Sequence, residues 1–367
     1  MRRDATNTRV YTERLKGAPM VQRLLALAIL AAAFTWAPRS SGRVAAQSTP
    51  EVKPARPWTV PRTAWGDPDL QGIWPSTDMF GVPFERPAEL AGRTELSDQE
   101  FAEREAQFKR QSAIDLEQTP SPAARRVDQA DPERLGTGPP AHWVEWGRPS
   151  RQTSLVVEPA DGKVPPITPE GQRRAGAVRS TFLVSEFDDF TWMDAYDRCI
   201  SRGLLGSMFP VVYNNGNEIV QVPGYVVIRY EMIHETRVIP LDGRPHVSAA
   251  IRSYMGDPRG HWEGPTLVVE TTNFNGRTGA QPIPIADPAA HLLATSDALR
   301  LVERFTRTGP DTLHYEITID DQKTWVGPWK VAFPLRRDPK YGMFEYACHE
   351  GNHAMSNALS GSRATEK

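Results

Sequence analysis

Residues 220–246, VQVPGYVVIRYEMIHETRVIPLDGRPH, and residues 247–274, VSAAIRSYMGDPRGHWEGPTLVVETTNF, decide the fold class. Their apolar runs are interrupted by Pro223-Gly224, Asp242-Gly243 and Gly264-Pro265, the punctuation of an antiparallel β-meander. Along residues 225–234, Val226, Ile228, Tyr230, Met232 and His234 share one face, and Tyr225, Val227, Arg229, Glu231 and Ile233 the other. The first set is the more apolar and is expected to face a core, with His234 pointing inward at its end. Asp242-Gly243 is a two-residue hairpin signal and sets His246 opposite Ile239.

The same alternation extends in both directions. Residues 299–307 and 312–319 read as a hairpin in which Leu313, Tyr315, Ile317 and Ile319 share one face and His314, Glu316 and Thr318 the other. Further strands are expected at 69–74, 153–158, 329–335 and 343–347. Helices are few. Residues 97–112 open with Ser97 and Glu100 in capping-box spacing, and Thr168-Pro169 is a cap followed by proline at the first helical position. The expectation is a mainly β fold, an antiparallel meander forming a barrel or sandwich, with long Pro-rich loops. The 33 prolines argue against a helical bundle. One β-rich domain is expected over residues 67–367, with a loop-and-helix insertion at about 85–150. Residues 186–196, EFDDFTWMDAY, mix acids with aromatics and read as a loop packed on that domain, or as a ring-lined lid.

The N-terminus reads as a targeting region over residues 1–46. An apolar run from Leu24 to Trp36 follows Arg23 and is too short to span a bilayer comfortably. Val44-Ala45-Ala46 supplies small residues of the cleavage-site kind, and Met20 is a plausible true start. The expected mature chain begins near Gln47 with a proline-rich arm over residues 47–66, in the periplasm or outside the cell, with no stable transmembrane segment. A net charge of −2 gives no basic face for nucleic acid, so the expected partner is a small molecule. In an oxidising compartment the only two cysteines, Cys199 and Cys348, are expected to join. Closing a loop of about 150 residues would add about 5 kcal/mol in the chain-entropy account.

The meander carries more ionisable side chains than a solvated sheet face requires. His234, His246, His261 and His349 are candidate acids, bases or ligands, with Glu231, Glu263 and Glu350 as carboxylate partners. His261 and Glu263 lie two apart on extended chain and so share a face. Arg237, Arg244 and Arg252 are candidates to orient an anionic group, and Trp262 to line a binding surface. Residues 349–353, HEGNH, formally match H-E-x-x-H, which on a helix places two histidines beside a glutamate base. Gly351 and Asn352 are poor helix formers, and no downstream histidine remains as a third zinc ligand. A divalent metal, zinc or another, held by His234, His246 and His349 is the better metal expectation, since all the histidines but His142 fall at or after residue 234.

Two resemblances add to this. Gly72-Ile73-Trp74 is similar to the G-x-W that opens the first strand of lipocalin-type barrels, where the Trp closes the barrel end. Residues 230–246, 256–274 and 344–352 (FEYACHEGN) resemble signature stretches of a large uncharacterised family of exported proteins from acidobacteria and proteobacteria. That resemblance covers roughly residue 66 to the C-terminus and implies export without implying an activity. Its usual form has Tyr at the position of His353, which favours His349 and Glu350 over the zinc motif. The expectation is an exported β-barrel-like enzyme, a hydrolase or lyase, acting on a small organic or sugar-derived substrate by His/Glu acid–base chemistry, metal-assisted or not. The alternative is a non-catalytic lipocalin-like carrier of an apolar or aromatic molecule, and the third is an envelope-associated structural protein.

Overall fold

Strand β5 (Asn217–Val222) begins a run in which each strand is hydrogen-bonded to the next in sequence, with one interruption. The run continues through β6 (Tyr225–Tyr230), β7 (Thr236–Pro240), β8 (Asp257–Glu263), β9 (Thr266–Thr272), β10 (Arg300–Gly309), β11 (Thr312–Asp320) and β12 (Trp329–Arg336). The computed structural model describes residues 58–117, 127–128, 131–135, 143–177, 187–211, 213–277 and 295–364. The targeting region and most of the proline-rich arm lie outside these residues, as does most of the loop at 118–142. Among the described residues no helix is long and apolar enough to cross a membrane.

The interruption falls between β7 and β8 and divides the strands into two antiparallel sheets. With β1 (Gly72–Ile73) the first has the order β1-β5-β6-β7; with β4 (Val156–Glu158) the second is β4-β12-β11-β10-β9-β8. A separate two-stranded ribbon joins β2 (Val127–Asp128) and β3 (Asp131–Leu135). The architecture is therefore mainly β and antiparallel, and the described strands do not close into a barrel. At the crease, β8 passes close to β7 because Gly260 has no side chain: a Cβ there would stand 2.8 Å from Ile239 Cγ2 and 2.7 Å from Leu241 Cδ2. Among the described residues four α-helices decorate the sheets: α1 (Asp98–Glu117), α2 (Pro169–Ala177), α3 (Gly203–Met208) and α4 (Ala354–Ala364). Glu100 closes the capping box of α1 by accepting from the backbone N–H and hydroxyl of Ser97, at 2.8 and 2.7 Å. Gly171 N donates to the Thr168 hydroxyl at the start of α2, 3.0 Å.

Both sheets turn their alternating apolar residues into one core. Leu313, Tyr315, Ile317 and Ile319 of β11 and Val226, Ile228 and Tyr230 of β6 are all buried in it, as alternation requires. Trp74 is fully buried next to β1; its indole N–H donates to Leu70 O at 2.8 Å, and the guanidinium groups of Arg307 and Arg337 lie over its ring at 5.5 and 4.8 Å.

Three local expectations are corrected. The chain leaves β6 after Tyr230 into a short 3-10 turn, Met232–His234, in which Ile233 and His234 take left-handed φ of 58° and 46°. The alternation is broken there, so Ile233 is buried and His234 is exposed. Asp242-Gly243 does not make a hairpin: Asp242 Oδ1 accepts from Arg244 N at 3.2 Å, and this local turn starts the loop that leads to β8. His246 is consequently not opposite Ile239. Residues 343–347 are not a strand.

The core also contains a charge pair. Arg237 on β7 and Glu303 on β10 meet across the sheets at 2.7 Å, with side chains 2% and 0% exposed. Tyr315 donates its hydroxyl proton to the other Glu303 oxygen at 3.0 Å. Burial works to lower the Arg237 pKa, but Glu303 outweighs it and holds the guanidinium above its ordinary value. Arg237 Nε and Nη2 have no hydrogen-bond partner among the described residues, so the pair is incompletely compensated there. Replacing Glu303 by Leu alone should therefore destabilise the domain by about 3–5 kcal/mol in urea unfolding, and adding Arg237→Met should recover most of that loss. Equal stability of the single variant and the parent would refute the account.

Candidate functional site

At one end of the four-stranded sheet, the turn after β6 meets a C-terminal segment that approaches from β12. The link is Glu231, a buried carboxylate 1% exposed. Its Oε1 accepts from Asn214 Nδ2 at 3.1 Å and Phe344 N at 3.0 Å; its Oε2 accepts from Gly216 N at 3.1 Å and the Tyr341 hydroxyl at 2.6 Å. Four donors satisfy a charge that would otherwise be costly to bury. The fit is close, since a Cβ on Gly216 would stand 2.7 Å from Glu231 Oε2. Glu145 reaches the same knot, accepting from Asn214 N and Asn215 N at 2.9 and 3.1 Å and lying 3.2 Å from the Tyr341 oxygen. Burial and the Glu145 charge raise the Tyr341 pKa, so the phenol keeps the proton it donates to Glu231.

Beyond this knot opens a cleft of about 810 Å³. Its wall holds the rings of Trp143, Tyr196, Tyr213, Phe344 and Tyr346, the carboxylates of Glu145, Asp197, Glu345 and Glu350, and the amides of Asn214 and Asn352. Trp143 and Tyr213 meet edge to face at 5.9 Å, and the Tyr196 and Tyr346 hydroxyls are 3.1 Å apart. Burial pushes the Tyr196 and Tyr213 phenols up to about 12 and raises Tyr346, so all three are neutral near pH 7. Behind Tyr196, 5.2 Å from its ring centre, lies the buried guanidinium of Arg202.

The cleft is covalently fastened. Cys199 and Cys348 form a disulfide with Cα atoms 5.8 Å apart across a sequence separation of 149, as expected for the only two cysteines of a chain read as exported. Backbone strain gathers at the same place. Of the non-glycine residues with left-handed φ, Cys199 (54°) and Asn214 (55°) line or flank the cleft, and Ile233 and His234 form the turn behind it. Such conformations cost about 1–3 kcal/mol each and collect where function constrains the chain. For β-branched Ile233 the conformation is a true outlier.

The residues singled out in the sequence separate into two groups. Glu231 and His234 belong to this end of the molecule. The His234 ring lies with Nδ1 3.0 Å from Tyr346 O; a carbonyl only accepts, so Nδ1 carries the proton and Nε2 is left as an acceptor in the neutral ring. Glu350 lines the cleft, and His349 is exposed beside the disulfide. The others lie elsewhere. His246 sits between Asp257, 3.0 Å, and Glu270, 3.5 Å; His261 is 3.3 Å from Glu263, which also pairs with Arg304 at 2.9 Å. Trp262 is packed against the core. Arg237 is consumed by Glu303, Arg244 by Asp242, and Arg252 by Asp297 and the carbonyl of Phe274. His349 and His353 do not share a helical turn, because α4 begins only at Ala354. Among the described residues no group of three or more His, Cys, Asp or Glu is placed to hold a metal ion, so His234, His246 and His349 do not form the expected divalent-metal site.

Glu145, Asn214, Tyr213 and Tyr341 are cleft or knot residues that the sequence did not mark. The acid and aromatic mixture of residues 186–196 was the available signal, and it supplies Tyr196. No family model, curated protein or solved structure matches the chain, so the site is read from its own geometry.

Tyr341→Phe removes one donor from a buried carboxylate and should lower stability by about 1.5–3 kcal/mol, seen as a lower urea midpoint at unchanged slope. A change under about 0.5 kcal/mol would mean that Glu231 is not the link between sheet and C-terminal segment.

Proposed function

We propose that the chain is an exported enzyme of the hydrolase or lyase class, which holds a small organic or sugar-derived substrate in this cleft and acts by acid–base chemistry. One observation carries the proposal. Large rings that a folded protein would normally cover, Trp143 at 53% and Phe344 at 73% exposed, stand beside carboxylates and amides in a single concave site. Rings hold the flat, apolar faces of a ligand, and the polar groups between them fix its hydroxyl or amide pattern.

Within that reading Glu350, in the cleft lining, is the proton acceptor, and His234, whose Nδ1 donates to the Tyr346 carbonyl from the turn behind, positions Tyr346. The Tyr196–Tyr346 hydroxyl pair is the neutral donor, because burial keeps both phenols protonated. Export is supported by the apolar run at 24–36, by the disulfide and by the resemblance to exported bacterial proteins. A second reading, a non-catalytic carrier of lipocalin type, is favoured by one feature: Trp74, at the end of the Gly72-x-Trp74 triplet, is buried with the guanidinium groups of Arg307 and Arg337 over its ring.

Assay of the purified chain on a panel of aryl glycosides and small esters separates the two. Turnover is expected with at least one, and Glu350→Gln should lower kcat about 100-fold or more. Binding without turnover by the parent would favour the carrier, and an unchanged kcat in Glu350→Gln would remove Glu350 from the chemistry.

A further inference from the structure

We propose that the group recognised in the cleft carries a positive charge: the ligand is an organic amine or quaternary ammonium, an amino sugar being the form closest to the sugar-derived substrate proposed above. The inference rests on that reading of the cleft and adds its charge.

The argument begins with the aromatic wall. The face of an aromatic ring carries negative charge density and attracts a cation placed over it, and several rings grouped on one wall offer several such faces. Trp143 and Tyr213 meet at an interplanar angle of 74°, and Phe344 stands on the same wall, largely exposed. This is the arrangement with which proteins hold alkylammonium groups.

The charges of the cleft point the same way. Glu145, Asp197, Glu345 and Glu350 contribute carboxylates, whereas no Lys, Arg or His is among the described residues that line it. That imbalance is local, because the whole chain carries 43 Lys and Arg against 45 Asp and Glu. Another cleft, of about 710 Å³, leans the opposite way, with Arg86, Arg148, Arg151 and Arg336 against Glu95 and Glu105. The tyrosines add no charge near pH 7, since their pKa values are raised. Arg202 is a single cation buried behind the Tyr196 ring and is not part of the lining, so the carboxylates outnumber it. An anionic ligand would need a cation to receive it, and the three arginines first considered for that role are held by Glu303, Asp242 and Asp297. Carboxylates around a concave, partly desolvated site favour a cationic ligand at close range and draw it in from a distance.

Calorimetry and tryptophan fluorescence on the full purified chain test this, with tetramethylammonium, glucosamine, N-acetylglucosamine and glucose as probes. Glucosamine, charged at its amine below neutral pH, is expected to bind at least tenfold more tightly than its neutral acetylated form or glucose, and tetramethylammonium to bind competitively with it. Trp143→Ala and Glu350→Gln should each weaken the cationic probes about five- to tenfold, which is about 1–1.4 kcal/mol. Glu350 is exposed, so its variant should keep the parent unfolding temperature. Neutral and charged sugars binding equally, with Trp143→Ala still weakening both, would overturn the charge assignment and leave the cleft as the binding site. Binding that neither variant alters, or no binding of any cationic probe at millimolar concentration, would overturn this inference; the aryl-substrate assay judges the proposed function independently of it.

Discussion

The pairing of Arg237 with Glu303 is the constraint around which the two sheets are arranged. The pair bridges β7 and β10, which belong to different sheets and share no ladder. Apolar contacts alone are non-directional and would tolerate sliding of one sheet over the other. A buried charge does not, since any shift that separated these two groups would leave each stranded in a low-dielectric core. The Tyr315 hydroxyl on β11 adds a third element to the same fixed point. The two sheets meet through side chains at the Gly260 crease, without ladder bonds between β7 and β8, so this polar contact supplies the specificity that a closed barrel would obtain from hydrogen-bonded strands.

The cleft follows from how the four-stranded sheet ends. Strand β6 stops at Tyr230 and the next residue, Glu231, turns its carboxylate into a knot of donors drawn from residues 214–216 and 341–344. That knot holds the C-terminal segment against the sheet, and the disulfide holds it a second time at Cys348. Left-handed backbone at Asn214, Ile233 and His234 is tolerable in this setting, because hydrogen bonds and packing on both sides over-determine the turn.

Local regularities were legible in the sequence and long-range polar contacts were not. The period-two pattern of Leu313, Tyr315, Ile317 and Ile319 identified the core face of β11 because each residue obeys the strand's own geometry. The capping box of α1 and the helix start at Thr168-Pro169 were readable for the same reason. His234 was misplaced because alternation was extended across a turn whose left-handed residues, Ile and His, give no glycine-like warning. Asp242-Gly243 looked like a hairpin, but the Asp side chain bonded its own neighbour and the strand partner lay elsewhere. Residues 343–347 carry a strand-like composition, yet the Phe344 N–H is taken by Glu231 rather than by a ladder. Glu145 and Tyr341 could not be found at all, since their meeting spans 196 residues and has no local signature.

The disulfide also bears on how the molecule is closed. All strands from β5 to β12 lie between Cys199 and Cys348, so the covalent ring encloses the whole meander. The sheets mostly pair strands that are neighbours in sequence, whereas the outer wall of the cleft, residues 344–354, lies at the far end of the ring. A reduced chain would keep the two sheets and the Glu231 knot and lose only the covalent tether on the outer wall of the cleft. Core and outer wall are thus closed by different chemistry, the first by packing and the second in part by oxidation.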